Sequence, residues 1–322
     1  MKMSDFKSLS VKEISDALLK IEHPLVLMHV RPDADTVGTA GALLEIFRLL
    51  GKDPLYDLDG DIPERLAFLL AGETRAEGYA GLTPVAVDVA SPTQLGALYG
   101  KLSVALTVDH HAVGEPFSDN LTLPGVSSAG EVMLSIAEEL EGRGLIQIIP
   151  KIAERLYAAI SSDTGGFMFS NAKESTYLAA ARLIAHGIDT ADINRRLFFS
   201  KTKAAIIAEG AVGADLRTAC DGRIAYALID AQKIKKLGLS FADFETAIDV
   251  VRSLGTAEIA FVIKENDKGE FKVSLRSVGP DVASVAAKHS GGGHKRAAGC
   301  TVTSGSIEKA AELLVDELSE LL

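Results

Sequence analysis

Apolar residues in the first half of this chain alternate between short continuous blocks and longer stretches in which they recur every three to four positions. PLVLMHV (24–30), TPVAVDVA (83–90) and LSVALTV (102–108) have the length and branched content of strands buried on both faces, and DPLYDLD (53–59) reads as another strand. Between them, TVGTAGALLEIFRLLG (36–51) and IPERLAFLLAG (62–72) carry helical spacing, and Gly51 closes the first. Ser91-Pro92 supplies an N-cap and a first-turn proline. Helices follow over 128–140, where Ser128 and Glu131 have capping-box spacing, over 150–163 and over 173–187. This alternation predicts an α/β fold with a mostly parallel sheet flanked by helices.

The texture changes after Gly187. Residues 188–220 predict one or two connecting helices without a strand. From Arg223 a second set begins: RIAYALID (223–230), AEIAFVIKE (257–265) and FKVSLRSV (271–278) as strands, NDKG (266–269) as a hairpin turn, and an amphipathic helix over 306–322. The expected organisation is a first domain over 1–190, connecting helices over 191–215, and a smaller α/β domain with a mixed sheet over 216–322.

At 322 residues the chain has room for two domains, and 47% hydrophobic against 24% charged residues excludes a disordered chain. Cys220 and Cys300 stand far apart with no CxxC partner, which argues against a zinc ribbon or disulfide scaffold and suits a reducing compartment. The first twenty residues are amphipathic and partly acidic where a secretory signal needs an apolar core, and no apolar run approaches the ~18 residues of a membrane span. A soluble cytoplasmic protein is expected. The net charge of −11 disfavours binding to long nucleic acid, yet residues 271–300 hold five basic side chains against one acidic, a local charge of +4 that suits a small anion.

Candidate chemistry collects at the ends of the predicted strands. HVRPDAD delivers His29, Asp33 and Asp35, the next block delivers Asp88, TVDHH delivers Asp109, His110 and His111, and SSDTGGF brings Asp163. In an open α/β sheet the carboxyl ends of the strands border the ligand crevice. Unpaired buried carboxylates are costly, and a cation removes the cost. Four carboxylates (Asp33, Asp35, Asp88, Asp163) with two imidazoles (His29, His110) exceed what one ion takes and suffice for two ions with bridging carboxylates. Oxygen and imidazole donors without thiolates favour Mn²⁺, with Mg²⁺, Co²⁺ or Zn²⁺ as alternatives. In the second half Arg276 can grip a phosphate with paired hydrogen bonds, and Gly291-Gly292-Gly293 can bring backbone N–H groups onto an anion.

At these residues the sequence resembles the DHH phosphoesterase family. HVRPDADTVGTAGAL looks like its first motif, VAVDVAS its second, VDHH its third and SSDTGGFMFSN its fourth. VSLRSVGPDVASVAAKHSGGGHKRAAGC looks like the glycine-rich signature of the DHH-associated C-terminal domain. The subgroup it is most similar to is the bifunctional oligoribonuclease/pAp phosphatase (nano-RNase) type. The resemblance implies two Mn²⁺ ions held by His29, Asp33, Asp35, Asp88, His110 and Asp163, Asp109 supporting the site from behind, and His111 facing the scissile phosphate. It further implies that Arg276, Gly291, Gly292, Gly293 and His294 hold the substrate from the second domain, across an interdomain cleft. Two positions depart from the family pattern: Thr39 replaces a usual Ser, and Ser290 a common Gly.

The expected function is hydrolysis of phosphoester bonds in short oligoribonucleotides, pAp, or both, by a metal-activated hydroxide. Substrates would be nucleotide-sized, with no long duplex and no membrane as partner, and a homodimer is compatible with the sequence. The alternatives are a cyclic or linear dinucleotide phosphodiesterase of the same superfamily and a non-catalytic nucleotide sensor.

Overall fold

The structure, a computed structural model, describes residues 6–322, and the chain divides after Ser200 into two units. The first unit runs α1 (Val11–Leu19), β1 (Pro24–Leu27), α2 (Ala34–Leu49), β2 (Leu55–Asp57), β3 (Thr83–Val87), β4 (Leu106–Asp109), β5 (Asp119–Thr122), α3 (Ala129–Gly142), α4 (Pro150–Asp163), α5 (Glu174–Ile184) and α6 (Thr190–Phe198). Its strands form a parallel sheet in the order β2-β1-β3-β4-β5. β1 and β3 are neighbours whose onward connections lead in opposite directions across the sheet, and such a switch point opens a crevice at the strands' carboxyl ends. Beyond β5, Leu9 and Asn120 pair through a 2.7 Å backbone hydrogen bond, so the N-terminal segment covers part of that edge.

One face of this sheet packs Val26, Val85, Val87 and Val108 against α1–α4; Leu25, Leu27 and Ala86 on the other pack with Val89, Leu95 and Leu98. The second face is covered by short elements. The segments expected as helices after the second and third predicted strands are 3₁₀ turns, Glu64–Leu70 and Pro92–Leu98. β1 stops at Leu27, before His29, and β4 starts four residues later than its apolar block and takes in Asp109. β5 has no counterpart among the predicted strands because DNLT offers one apolar residue and no readable period.

The second unit runs α7 (Lys203–Ala214), β6 (Arg217–Ala219), β7 (Ile224–Ile229), α8 (Ala231–Leu237), α9 (Ala247–Arg252), β8 (Ile259–Glu265), β9 (Phe271–Ser277), α10 (Val282–Lys288), β10 (Gly292–His294), β11 (Ala297–Val302) and α11 (Ile307–Ser319). Its sheet is mixed, in the order β10-β11-β9-β8-β7-β6, with only the β7–β8 pair parallel. Three features differ from expectation. β6 lies inside 188–220, where no strand was expected; it is a three-residue edge strand, held by its pairing to β7. β11 is AAGCTV, in which small residues precede the only β-branched ones, Thr301 and Val302, so no strand was expected there. The glycine segment is not an open loop: Gly292–His294 pairs antiparallel with Gly299–Ala297. Gly291 is obligatory here, since a Cβ would stand 2.2 Å from the Gly299 carbonyl oxygen.

Candidate metal centre and active site

Each acidic or imidazole group owes its position to the end of an element. Asp33 is the N-cap of α2, its Oδ1 accepting from the Thr36 N–H at 3.1 Å, so one oxygen caps the helix and the other remains for a ligand. Asp35, in the first turn of α2, is buried and accepts backbone N–H groups of Ala129 (2.7 Å) and Gly130 (2.9 Å) at the start of α3. Thr39 donates to the same carboxylate at 3.3 Å, which keeps the hydroxyl function that a Ser would supply. Asp88 follows β3 with φ +56°, a left-handed conformation that Asp tolerates better than most residues and that costs about 1–3 kcal/mol. Asp163 closes α4, and the Asn171 amide donates to its carbonyl oxygen at 3.0 Å.

These positions converge into three overlapping groups of potential ligand atoms: His29–Asp33–Asp88, Asp35–His110–Asp163 and Asp88–His110–His111, the atoms of each lying within 4.8 Å of one another. Asp88 and His110 each belong to two groups. His110 Nε2 lies 3.7 Å from both Asp88 Oδ1 and Asp163 Oδ2, and 3.8 Å from Asp35 Oδ2. On the other side, Asp88 Oδ2 is 3.7 Å from His29 Nε2. His111 Nδ1 stands 2.8 Å from Asp109 Oδ1, which orients the ring from behind.

Thr36 is the functional neighbour that sequence reasoning missed. Its hydroxyl donates to Asp88 Oδ2 at 2.5 Å and lies 2.6 Å from His29 Nε2, joining the first and second motifs. The available signal was a hydroxyl in the first turn of the helix that follows DAD.

Burial and mutual repulsion dominate the electrostatics of the cluster. Burial, followed by the charge of Asp33, pushes the Asp35 carboxyl up to about 7. Burial and the charges of Asp35 and Asp33 drive Asp88 and Asp163 well above the usual carboxylate range. Burial lowers His29. His111 is raised: burial opposes its charge, but the hydrogen bond and charge of Asp109 outweigh burial. Asp88 Oδ1 is buried with no hydrogen-bond partner among the described residues. Crowded carboxylates that repel one another, an orphaned oxygen and two imidazoles at 3.7 Å fit a divalent cation, which would neutralise the acids and engage that oxygen.

The other singled-out residues belong to the second unit. Arg276 lies half-buried on β9, its Nη1 donating to the Leu275 carbonyl oxygen at 2.9 Å, and burial lowers its pKa. His294 ends β10 and is exposed. A cavity of about 700 Å³ in this unit, beside Lys235 and Lys268, includes none of the residues that carry candidate chemistry.

Residues 24–160 match the DHH family N-terminal domain and residues 221–322 match the DHHA1 domain. The chain therefore carries a DHH family N-terminal domain followed by a DHHA1 domain. It is 27% identical over 292 residues to the bifunctional oligoribonuclease and PAP phosphatase NrnA of Bacillus subtilis, covering 89% of this chain and 91% of that one. It is 26% identical to the protein of the same name from Thermus thermophilus, covering 96% and 93%. An exopolyphosphatase-related protein from Bacteroides fragilis shares the fold, with a TM-score of 0.87 at 20% identity over 96% of this chain and 95% of that one. Among the described residues no helix is long and apolar enough to cross a membrane.

Proposed function

We propose that this chain is a metal-dependent phosphohydrolase acting on short oligoribonucleotides and on pAp. The observation that carries the reading is Asp88 Oδ1, buried and unpartnered where two ligand groups overlap. His29, Asp33, Asp35, Asp88, His110 and Asp163 would hold two divalent cations, with Mn²⁺ the best match to a mixed carboxylate and imidazole set. When bound, the cations supply charge neutralisation at phosphorus and a water acidic enough to attack at neutral pH.

The chain's own groups do the rest. Asp109 fixes the His111 ring by accepting from Nδ1, and Nε2 is the atom assigned to a phosphate oxygen. The hydrogen bond and charge of Asp109 favour the charged ring, a donor for that oxygen. The α3 N–H groups of Ala129 and Gly130 hold Asp35 in place from outside the site. Arg276, Gly291, Gly292, Gly293 and His294 are assigned to substrate binding; Arg276 carries two parallel donors suited to a phosphate. The names of the NrnA relatives support the substrate class.

The test is hydrolysis, with Mn²⁺ added to the metal-free protein, of pAp, a trinucleotide RNA, a linear diadenylate and pyrophosphate side by side. Turnover of pAp and the trinucleotide with pyrophosphate inert supports the reading. Turnover of the diadenylate alone would move the assignment to a dinucleotide phosphodiesterase, and Mn²⁺ binding without any turnover to a nucleotide sensor.

A further inference from the structure

A hollow of about 190 Å³ lies within the first unit, with Asp109 and His111 of the DHH loop among its lining residues. Its volume equals roughly six waters at about 30 Å³ each, room for one ring system and not for a second nucleotide. The loops that bear the candidate ligands build its walls. Val89 and Ala90 follow Asp88, and the chain from His111 to Phe117 closes the opposite side. The two loops are pinned together, with the Glu115 N–H donating to the Ala90 carbonyl oxygen at 2.8 Å; a Cβ on Gly114 would stand 2.3 Å from that oxygen.

The lining chemistry selects the kind of group that fits. Val89, Pro116 and Phe117 offer apolar surface, while Thr107, Asn120 and Thr122 present a polar edge from β4 and β5. Asn120 donates one amide N–H to the Ser118 carbonyl oxygen and accepts from the Thr122 hydroxyl, both at 3.2 Å; its second N–H and second lone pair are left for a ligand. The charged lining groups are two carboxylates, Asp109 and Glu115, with His111 the single imidazole. A phosphate would be repelled there. A flat, neutral ring carrying both N–H donors and acceptors matches the apolar faces, the amide edge and the acidic rim.

We propose that this hollow binds the nucleobase of the nucleotide whose phosphate is cleaved at the adjoining cluster, a proposal that rests on the phosphohydrolase reading above. Asn120 and Thr122 hydrogen-bond the edge of the base, and Phe117 packs against it.

The experiment compares pAp with ribose 3′,5′-bisphosphate, which carries the same phosphates and no base, using Mn²⁺-loaded protein and the variants Asn120→Leu and Thr122→Val. The wild-type protein is expected to prefer pAp, and each variant to lower the ratio of kcat/KM for pAp over the base-free compound by about three- to ten-fold, the usual worth of one or two hydrogen bonds. An unchanged ratio in a variant with a wild-type melting curve overturns the assignment. Calorimetric titration of both compounds into wild-type protein decides the matter even where a variant does not fold. Equal affinities contradict a base subsite. Tighter binding of pAp without any hydrolysis would uphold the subsite while contradicting the hydrolase reading.

Discussion

Asp88 concentrates the site's electrostatic conflict in one side chain: left-handed, buried, close to the three imidazoles of His29, His110 and His111, and repelled by Asp35 and Asp33. Asn keeps its shape and tolerates the same backbone conformation, so Asp88→Asn should remove the charge without adding strain. In metal-free protein at pH 8 this variant is expected to melt roughly 2–6 °C higher than wild type, since a buried amide costs less than a buried carboxylate. An unchanged or lower melting temperature in thermal denaturation would contradict the conflict. Ser290 poses the opposite case. It holds φ +53° before the glycine segment, so Ser290→Gly should stabilise by up to about 1 kcal/mol, read in urea unfolding. At this scale the sequence was most informative: every acid and imidazole of the cluster could be read from the ends of apolar blocks. Thr36 was not legible, because a first-turn threonine carries no signal until its hydroxyl is found between His29 and Asp88.

Between residues and the site stand α2 and α4. α2 is buried along nearly its whole length and carries Asp33 and Asp35 at its start, while α4 ends on Asp163. The two helices approach closely at Gly38, where a Cβ would lie 2.5 Å from the Arg155 carbonyl oxygen. Arg155 is itself buried, 2.7 Å from Glu73 and bonded to the Gly41 carbonyl oxygen at 2.5 Å. Gly38→Ala is expected to cost about 1–3 kcal/mol through overpacking and to weaken Mn²⁺ binding in calorimetry as α2 shifts against α4. Wild-type stability and affinity would show that the helices adjust without moving the ligands. Periodicity revealed both helices because each is long. It missed β5, β6 and β10, which are short polar or glycine-rich segments, and β11, which is mostly small residues; all four become strands through the neighbours they pair with.

For the whole molecule, the strand and helix pattern restarts near Arg223, and the structure divides after Ser200 into a parallel-sheet unit and a mixed-sheet unit. The carboxylate cluster also sets how stability responds to pH. Asp35, Asp88 and Asp163 have raised pKa values in the folded protein, so the folded state holds more protons than the unfolded one. Stability contributed by these groups is present below the ordinary carboxylate range and is lost as pH rises, for Asp35 through about 7. Mn²⁺ should therefore raise the melting temperature more at pH 8 than at pH 5.5, and an equal or smaller gain at pH 8 would exclude a cation at these carboxylates. The central claim, a cation-dependent phosphoester hydrolysis centred on Asp88, is tested most directly by phosphate release from pAp during Mn²⁺ titration of wild-type protein and Asp88→Asn. The prediction is saturable activity in the wild type, absent without metal, and a loss of at least about 100-fold in the variant. Full activity in Asp88→Asn, or wild-type activity indifferent to Mn²⁺, would contradict it.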